Sequence, residues 1–256
     1  MKRETVDALH AVNRRFYQER ASEFGATRER PWSGWIELFD RYRALLPAGP
    51  RVLDLGCGNG RFARFLDQRL SCTFDYCGVD ASPPALAEAR KRLGSRENVV
   101  LIEHDFLSSE SPLPPGFAGR EFDLVALFGV LHHVPGSARR LQILRRLSES
   151  VAASGLLVFS VWEFDRHERF RKKIVPWAGR DLDVSDLEPG DYLLTWGSDA
   201  QGLRYCHAMS ESEEDTLARS LPLDLLAKLQ GREPNAYFVF RSMEKPPLHG
   251  GEARER

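Results

Sequence analysis

At 256 residues the chain is long enough for one sizeable α/β domain with its own core. Hydrophobic residues at 42% and charged residues at 29% fit a globular protein, and a formal net charge of −1 argues against a uniformly basic, nucleic-acid-coating surface. No apolar run approaches the roughly 20 residues of a membrane span, and the first residues lack a signal-peptide core, so a cytoplasmic protein is expected. The four cysteines, Cys57, Cys72, Cys77 and Cys206, form no CxxC pair and no zinc pattern, which predicts a reduced protein without metal.

Residues 4 to 24 and 33 to 46 carry apolar side chains at helical spacing, Trp35, Ile36, Phe39, Tyr42 and Leu45 among them. They predict an N-terminal helical extension, residues 1–48, closed by the loop PAGP at 47 to 50. Strand-like runs follow at 51 to 55, 74 to 79, 99 to 103, 122 to 128 and 156 to 162. Helix-like runs lie between most of them, at 61 to 70, 83 to 93 and 137 to 152. Such alternation predicts an α/β fold with a doubly wound parallel sheet over 49–163. After Trp162 the alternation stops, and 164–209 mixes the basic segment RHERFRKK with the strand candidates DYLLTW and LRYCHAM. This stretch is too short and polar for a core of its own and predicts a lid insertion within one domain, 1–242. In 210–242 a helix at about 210 to 220 precedes two β-like runs, LDLLAKL and NAYFVFR, which predict a terminal antiparallel hairpin. Residues 243–256 read as a disordered tail.

The stretch VLDLGCGNGRF, residues 52 to 62, carries the chemistry. Gly56 and Gly58 match the first two glycines of the dinucleotide fingerprint, but Arg61 stands where the third belongs. Asp54, at the carboxyl end of the strand, would meet a pyrophosphate as a like charge. A ligand with an ammonium or sulfonium and no phosphate would be attracted instead, and S-adenosylmethionine is such a ligand. Asp80 in YCGVDAS ends the next strand, where an acidic side chain can accept from both ribose hydroxyls. Asp105 in LIEHDF ends the third, within reach of an adenine amino group, unless it serves as a helix cap or turn residue.

These motifs, with FDLVALFGVLHHV, resemble class I S-adenosylmethionine-dependent methyltransferases from about residue 50 to 163. The resemblance implies a Rossmann-like seven-stranded sheet whose last strand is antiparallel, with S-adenosylmethionine as cofactor and S-adenosylhomocysteine as product. It implies cofactor contacts from Tyr17, Asp54, Gly56, Gly58, Asp80, Ala81, Asp105, Phe106 and Phe128. The flanking segments FYQERASEFGATRERPWSGW, LHHV, VPW, PGDYLLTW and LRYCHAM resemble, in that order, the tRNA wobble-uridine methyltransferases, which convert 5-carboxymethyluridine to its methyl ester. Carried over, Arg28, His132 and His133 become catalytic, and Trp32, Arg204, Tyr205 and His207 contact the acceptor, with Pro31 beside them. The aromatic that follows the His pair in that family is Val134 here. The implied partners are a tRNA anticodon loop and a small activating protein, because related eukaryotic enzymes work with a zinc-containing subunit.

The residue types suit an ionised acceptor. A carboxylate needs no general base; it needs a fixed in-line approach to the sulfonium methyl. Arg28 or Arg204 can hold it bidentately, Trp32 or Trp162 can stack on a splayed base, and Arg166, Arg169, Arg171, Lys172 and Lys173 can meet phosphates. Each has a plainer use: the tryptophans as staples for the N-terminal helices, one histidine as a backbone partner, the basic run as a solvated helix face. Two other readings stay open. One is a small-molecule O- or N-methyltransferase with His132 or His133 as general base; the other is a non-catalytic cofactor-binding subunit.

Overall fold

The structure is a computed structural model that describes residues 1–27, 29–109, 111–117, 119–179, 182–197 and 202–243. Helix α1 (Arg3–Ala26) and α2 (Ser33–Tyr42) precede β1 (Arg51–Leu55), α3 (Arg61–Arg69), β2 (Asp75–Asp80), α4 (Pro83–Leu93), β3 (Val99–Glu103) and β4 (Phe122–Leu127). Then come α5 (Ser137–Ser148), β5 (Val151–Trp162), α6 (Glu168–Arg171), β6 (Ile174–Val175), β7 (Asp191–Trp196) and β8 (Gly202–His207). The described chain closes with α7 (Glu211–Arg219), β9 (Asp224–Gln230) and β10 (Asn235–Arg241). No helix among the described residues is long and apolar enough to cross a membrane.

Seven strands form one sheet in the order β3-β2-β1-β4-β5-β10-β9. Strands β1 to β5 pair in parallel, and β10 runs antiparallel to both neighbours, as expected. Alternation along each strand splits the core. Val52, Leu124, Val158 and Val239 face α2, α3 and α4, whereas Leu53, Val125, Leu157 and Phe238 face α5 and α7. Local chemistry sets several boundaries. Ser82 caps α4 by accepting from the Ala85 amide, and Pro83 fixes the first helical φ.

The end of the expected 137 to 152 helix is a correction. It stops at Ser148, and β5 begins at Val151. A register shift between Phe122 and Leu124, with Ser154 at φ 62°, lets this irregular strand start stay in the sheet.

Strands β6, β7 and β8 form a second, antiparallel sheet. Trp162, Phe164, Leu194, Cys206 and Ala208 make a small apolar cluster beneath it. Helix α1 buries Thr5, Leu9, Asn13 and Phe16, one stripe at helical spacing, and packs on β8 and α4. The N-terminal helix and the 202–207 strand therefore share a contact across most of the chain.

Candidate active site

The carboxyl ends of β1, β2 and β4 open into a cavity of about 510 Å³ at the switch point of the sheet order. Its floor holds Asp54, Gly56, Gly58, Asp80, Ala81, Asp105, Phe106 and Phe128, all expected at the cofactor, and Tyr17 reaches it from α1. Gly56 takes φ +79°, and a Cβ there would stand 2.3 Å from a Val130 methyl; at Gly58, φ +54°, a Cβ would meet nothing within 4 Å. The first glycine serves packing, and the second leaves backbone open to a ligand.

Asp54 is 2% exposed and accepts a 2.6 Å hydrogen bond from the Tyr76 hydroxyl. Burial pushes its pKa up to about 7, against the Tyr76 bond, and Asp80 adds to the rise. No cation pairs with it among the described residues. Asp80 accepts from the Gly58 and Ser82 amides, each at 2.8 Å, one on either carboxylate oxygen. Burial raises its pKa and these amides oppose the rise. One lone pair on each oxygen is left for a ligand hydroxyl. Asp105 does both things open to it: it lines the cavity, and it accepts from the Ser108 amide and Arg14 in a turn. A cationic ligand without phosphate suits this floor, because a phosphate would face buried acids.

Arg61, noticed in the sequence only as a mismatch, joins the cavity wall. Its guanidinium sits 4.7 Å from the centroids of both Trp32 and Trp35, and Nη1 donates to the Arg30 carbonyl. Burial lowers its pKa to about 10. Trp35 is buried against Phe62, Phe65 and Phe128, so it acts as the staple, and Trp32 both packs and lines the cavity. His10 and Asn13 were also missed; no motif marks them, and only the packing of α1 brings them in.

The roof is built by α1 and β8. His133 Nδ1 donates to the Tyr205 carbonyl (2.9 Å), so Nε2 is the acceptor for the Tyr17 hydroxyl (2.7 Å). Asn13 Oδ1 accepts from the Tyr205 amide at 2.9 Å. His133 is thus a latch between α1 and β8. His132 packs at a tilt against His133 and Trp162, ring centroids 4.1 Å and 5.0 Å away, and also lines the cavity. Arg204 is 3% exposed, with its guanidinium 5.1 Å from the Phe16 ring, 5.4 Å from Phe24 and 5.5 Å from Trp162. Its Nε is buried without a hydrogen-bond partner, and no acid pairs with it among the described residues.

Tyr205 and His207 are corrections, because neither lines the cavity. The Tyr205 hydroxyl donates to Asp191 (2.7 Å), and His207 bridges Asp191 (2.7 Å) and Glu213 (2.8 Å). Arg140 bonds Glu213 and Glu188, each at 2.7 Å, and the Val134 carbonyl. Alternate side chains along β8 point to opposite faces, so Arg204 faces the cavity while Tyr205 enters this buried network. In the basic run, Arg169 and Lys173 line the cavity, Lys172 pairs with Glu168, and Arg166 pairs with Glu163. Arg28 and residues 244–256 lie outside the described residues.

Among the described residues, two groups bring three ligating atoms within 4.8 Å of one another: His132, His133 and Cys206, and Glu188, Asp191 and His207. Both rings at their centres, His133 and His207, already use both nitrogens for hydrogen bonds.

A methyltransferase-domain profile matches residues 53–157, from β1 into β5. The fold is similar to the S-adenosylmethionine-bound amino pentose methyltransferase CalS10 of Micromonospora echinaspora, with TM-score 0.58 and 21% identity over 87% of this chain and 96% of that one. A methyltransferase of Encephalitozoon cuniculi is 31% identical over 193 residues, 75% of this chain and 78% of that one. This chain belongs to the S-adenosylmethionine-dependent methyltransferases. The methyltransferase is also 25% identical, over 80% of its length and 85% of the relative's, to a tRNA (carboxymethyluridine(34)-5-O)-methyltransferase of Schizosaccharomyces pombe. Other relatives are longer: the chain spans 26% of a Mus musculus tRNA methyltransferase 9B.

Proposed function

We propose that this methyltransferase esterifies a carboxylate on RNA, the carboxymethyl group of a wobble uridine in tRNA. Arg204 is the observation that carries the reading. A desolvated guanidinium caged by three aromatic rings, with no acid paired to it among the described residues, is costly until an anion arrives. The named activity of the Schizosaccharomyces pombe relative supplies an acceptor of that class.

S-adenosylmethionine supplies an electrophilic sulfonium methyl group. In this reading Asp54 attracts the cationic end, Arg61 faces the amino-acid carboxylate, and Asp80 accepts from the ribose hydroxyls. Arg204 holds the acceptor carboxylate by its fork and orients one oxygen at the methyl carbon, so the new O–C bond forms as the S–C bond breaks and no proton moves. Trp162 and Trp32 offer faces for the uracil, and Arg169 and Lys173 offer charge to phosphates at the rim. The 164–209 insertion, with α1, closes the acceptor side as a lid within a single domain.

The test incubates the protein with methyl-labelled cofactor and separate tRNA, protein and metabolite fractions. Label is expected in tRNA and is expected to leave as methanol in mild alkali, as an ester must. Arg204→Lys keeps the charge, loses the fork, and is expected to slow transfer at least about tenfold. Alkali-stable label in the metabolite fraction would instead support a small-molecule O- or N-methyltransferase. His132 at the cavity wall is the observation that favours that second reading, and its rate would fall as the imidazole protonates.

A further inference from the structure

His10 has no part in the reaction just described. It projects from α1, is 5% exposed, and lines the cavity. Neither ring nitrogen has a hydrogen-bond partner among the described residues. Buried polar atoms are nearly always satisfied, so an orphaned pair at a cavity wall points to a partner that arrives with the ligand. Burial and then Arg139 push its pKa down to about 4, against the opposing pull of Asp105 and Asp7, with Arg14 adding to the fall. The ring is neutral near pH 7 and offers one N–H donor and one acceptor.

Its surroundings say which part of the ligand it meets. This end of the cavity is walled by Ala81, Ser82 and Ala85 at the start of α4 and by the turn from Asp105 to Ser108. Arg139 holds that turn by donating to the Leu107 and Ser109 carbonyls, and Arg14 is occupied by Asp105 and Ser108. The only polar atoms of His10 are its two nitrogens, and the charged side chains around it are engaged elsewhere.

We infer that His10 reads the adenine base of the cofactor, one neutral imidazole nitrogen accepting from the exocyclic amino group. The inference rests on the reading above that the ribose lies at Asp80. The adenine amino group is a donor that a neutral imidazole nitrogen can accept from, whereas a protonated histidine or a lysine would offer donors alone. A residue of the N-terminal helix, outside every glycine-loop motif, thereby sets base specificity.

Calorimetry decides it. S-adenosylhomocysteine and its analogue with unsubstituted purine in place of adenine are titrated into the native protein, His10→Phe, His10→Ala and Asp80→Ala. Either folded His10 variant suffices. Loss of the imidazole is expected to weaken S-adenosylhomocysteine about tenfold or more and to shrink its preference over the purine analogue. Native affinity and unchanged preference in the His10 variants, beside weakened binding in Asp80→Ala, would overturn the His10 assignment alone. Unchanged affinity in all three variants would overturn the placement of the cofactor as well.

Discussion

Asp54 shows what a buried acid does before its ligand comes. Its folded pKa, about 7, lies above the ordinary value of 3.8, so between those values the folded protein holds a proton that the unfolded chain releases. Ligand-free stability therefore falls as pH rises from about 4 to 7 and levels off above that. The full effect is at most about 4 kcal/mol. Melting curves from pH 5 to 8 are expected to show this slope in the native protein and to lose it in Asp54→Asn. A bound cation reverses the preference, so cofactor affinity is expected to rise toward pH 7 by up to about tenfold per unit. Isothermal titration at pH 6 and pH 8 checks it. Asp54 and Asp80 were readable from sequence because each stands at a strand end beside glycine or an N-cap, and strand ends are punctuated locally. His10 and Arg61 were not. Their places depend on how α1 crosses α4 and how Trp32 and Trp35 fold over α3, and no short-range pattern encodes either contact.

Strands β1, β3 and β10 and helix α4 begin and end where the residue pattern puts them, because Gly, Pro and capping Ser mark them. Strand β5 does not. Its Ala-rich start favours helix by propensity, and pairing with β4 across a bulge overrides it. The sequence likewise offered β8 as a row of acceptor contacts, where its alternation sends Tyr205 and His207 into a charge network that docks the insertion on α5 and α7. That network has its own pH window. Burial disfavours charge on His207, but bonds to Asp191 and Glu213 outweigh it and raise its pKa above the ordinary value of 6.5, so its contribution is complete below 6.5 and lost as pH climbs through the raised value. Burial works against Glu213 and Glu188 too, yet His207 and Arg140 lower both and the Ser137 amide lowers Glu188 further, so their contribution is present above 4.5 and lost as pH falls through the lowered values. Amide protection in β7 and β8, taken relative to the intrinsic exchange rate at each pH, is expected to be highest from about 4.5 to beyond 6.5. Arg140→Met strands two carboxylates and is expected to cost about 3 kcal/mol in chemical denaturation, toward the low end for broken buried pairs because both acids keep some solvent contact.

At the scale of the molecule, the cavity has a floor made by the parallel sheet and a roof made by α1 and β8 together. Replacing 164–209 with a Gly/Ser linker is expected to abolish transfer. It is also expected to weaken S-adenosylhomocysteine binding, because Phe16 and Asn13 lose the partners on β8 that help hold α1 in place. Calorimetry on the replaced chain checks this, and native affinity would show that α1 is held by α4 alone. The same joint carries a consequence for biosynthesis. Helix α1 leaves the ribosome before β8, and the strand that covers its apolar stripe is made almost 200 residues later, so Leu9 and Phe16 wait roughly 10 to 40 s for cover at ordinary elongation rates. During that wait the nascent chain offers a sticky amphipathic helix to chaperones, and slow synthesis through the insertion prolongs its exposure.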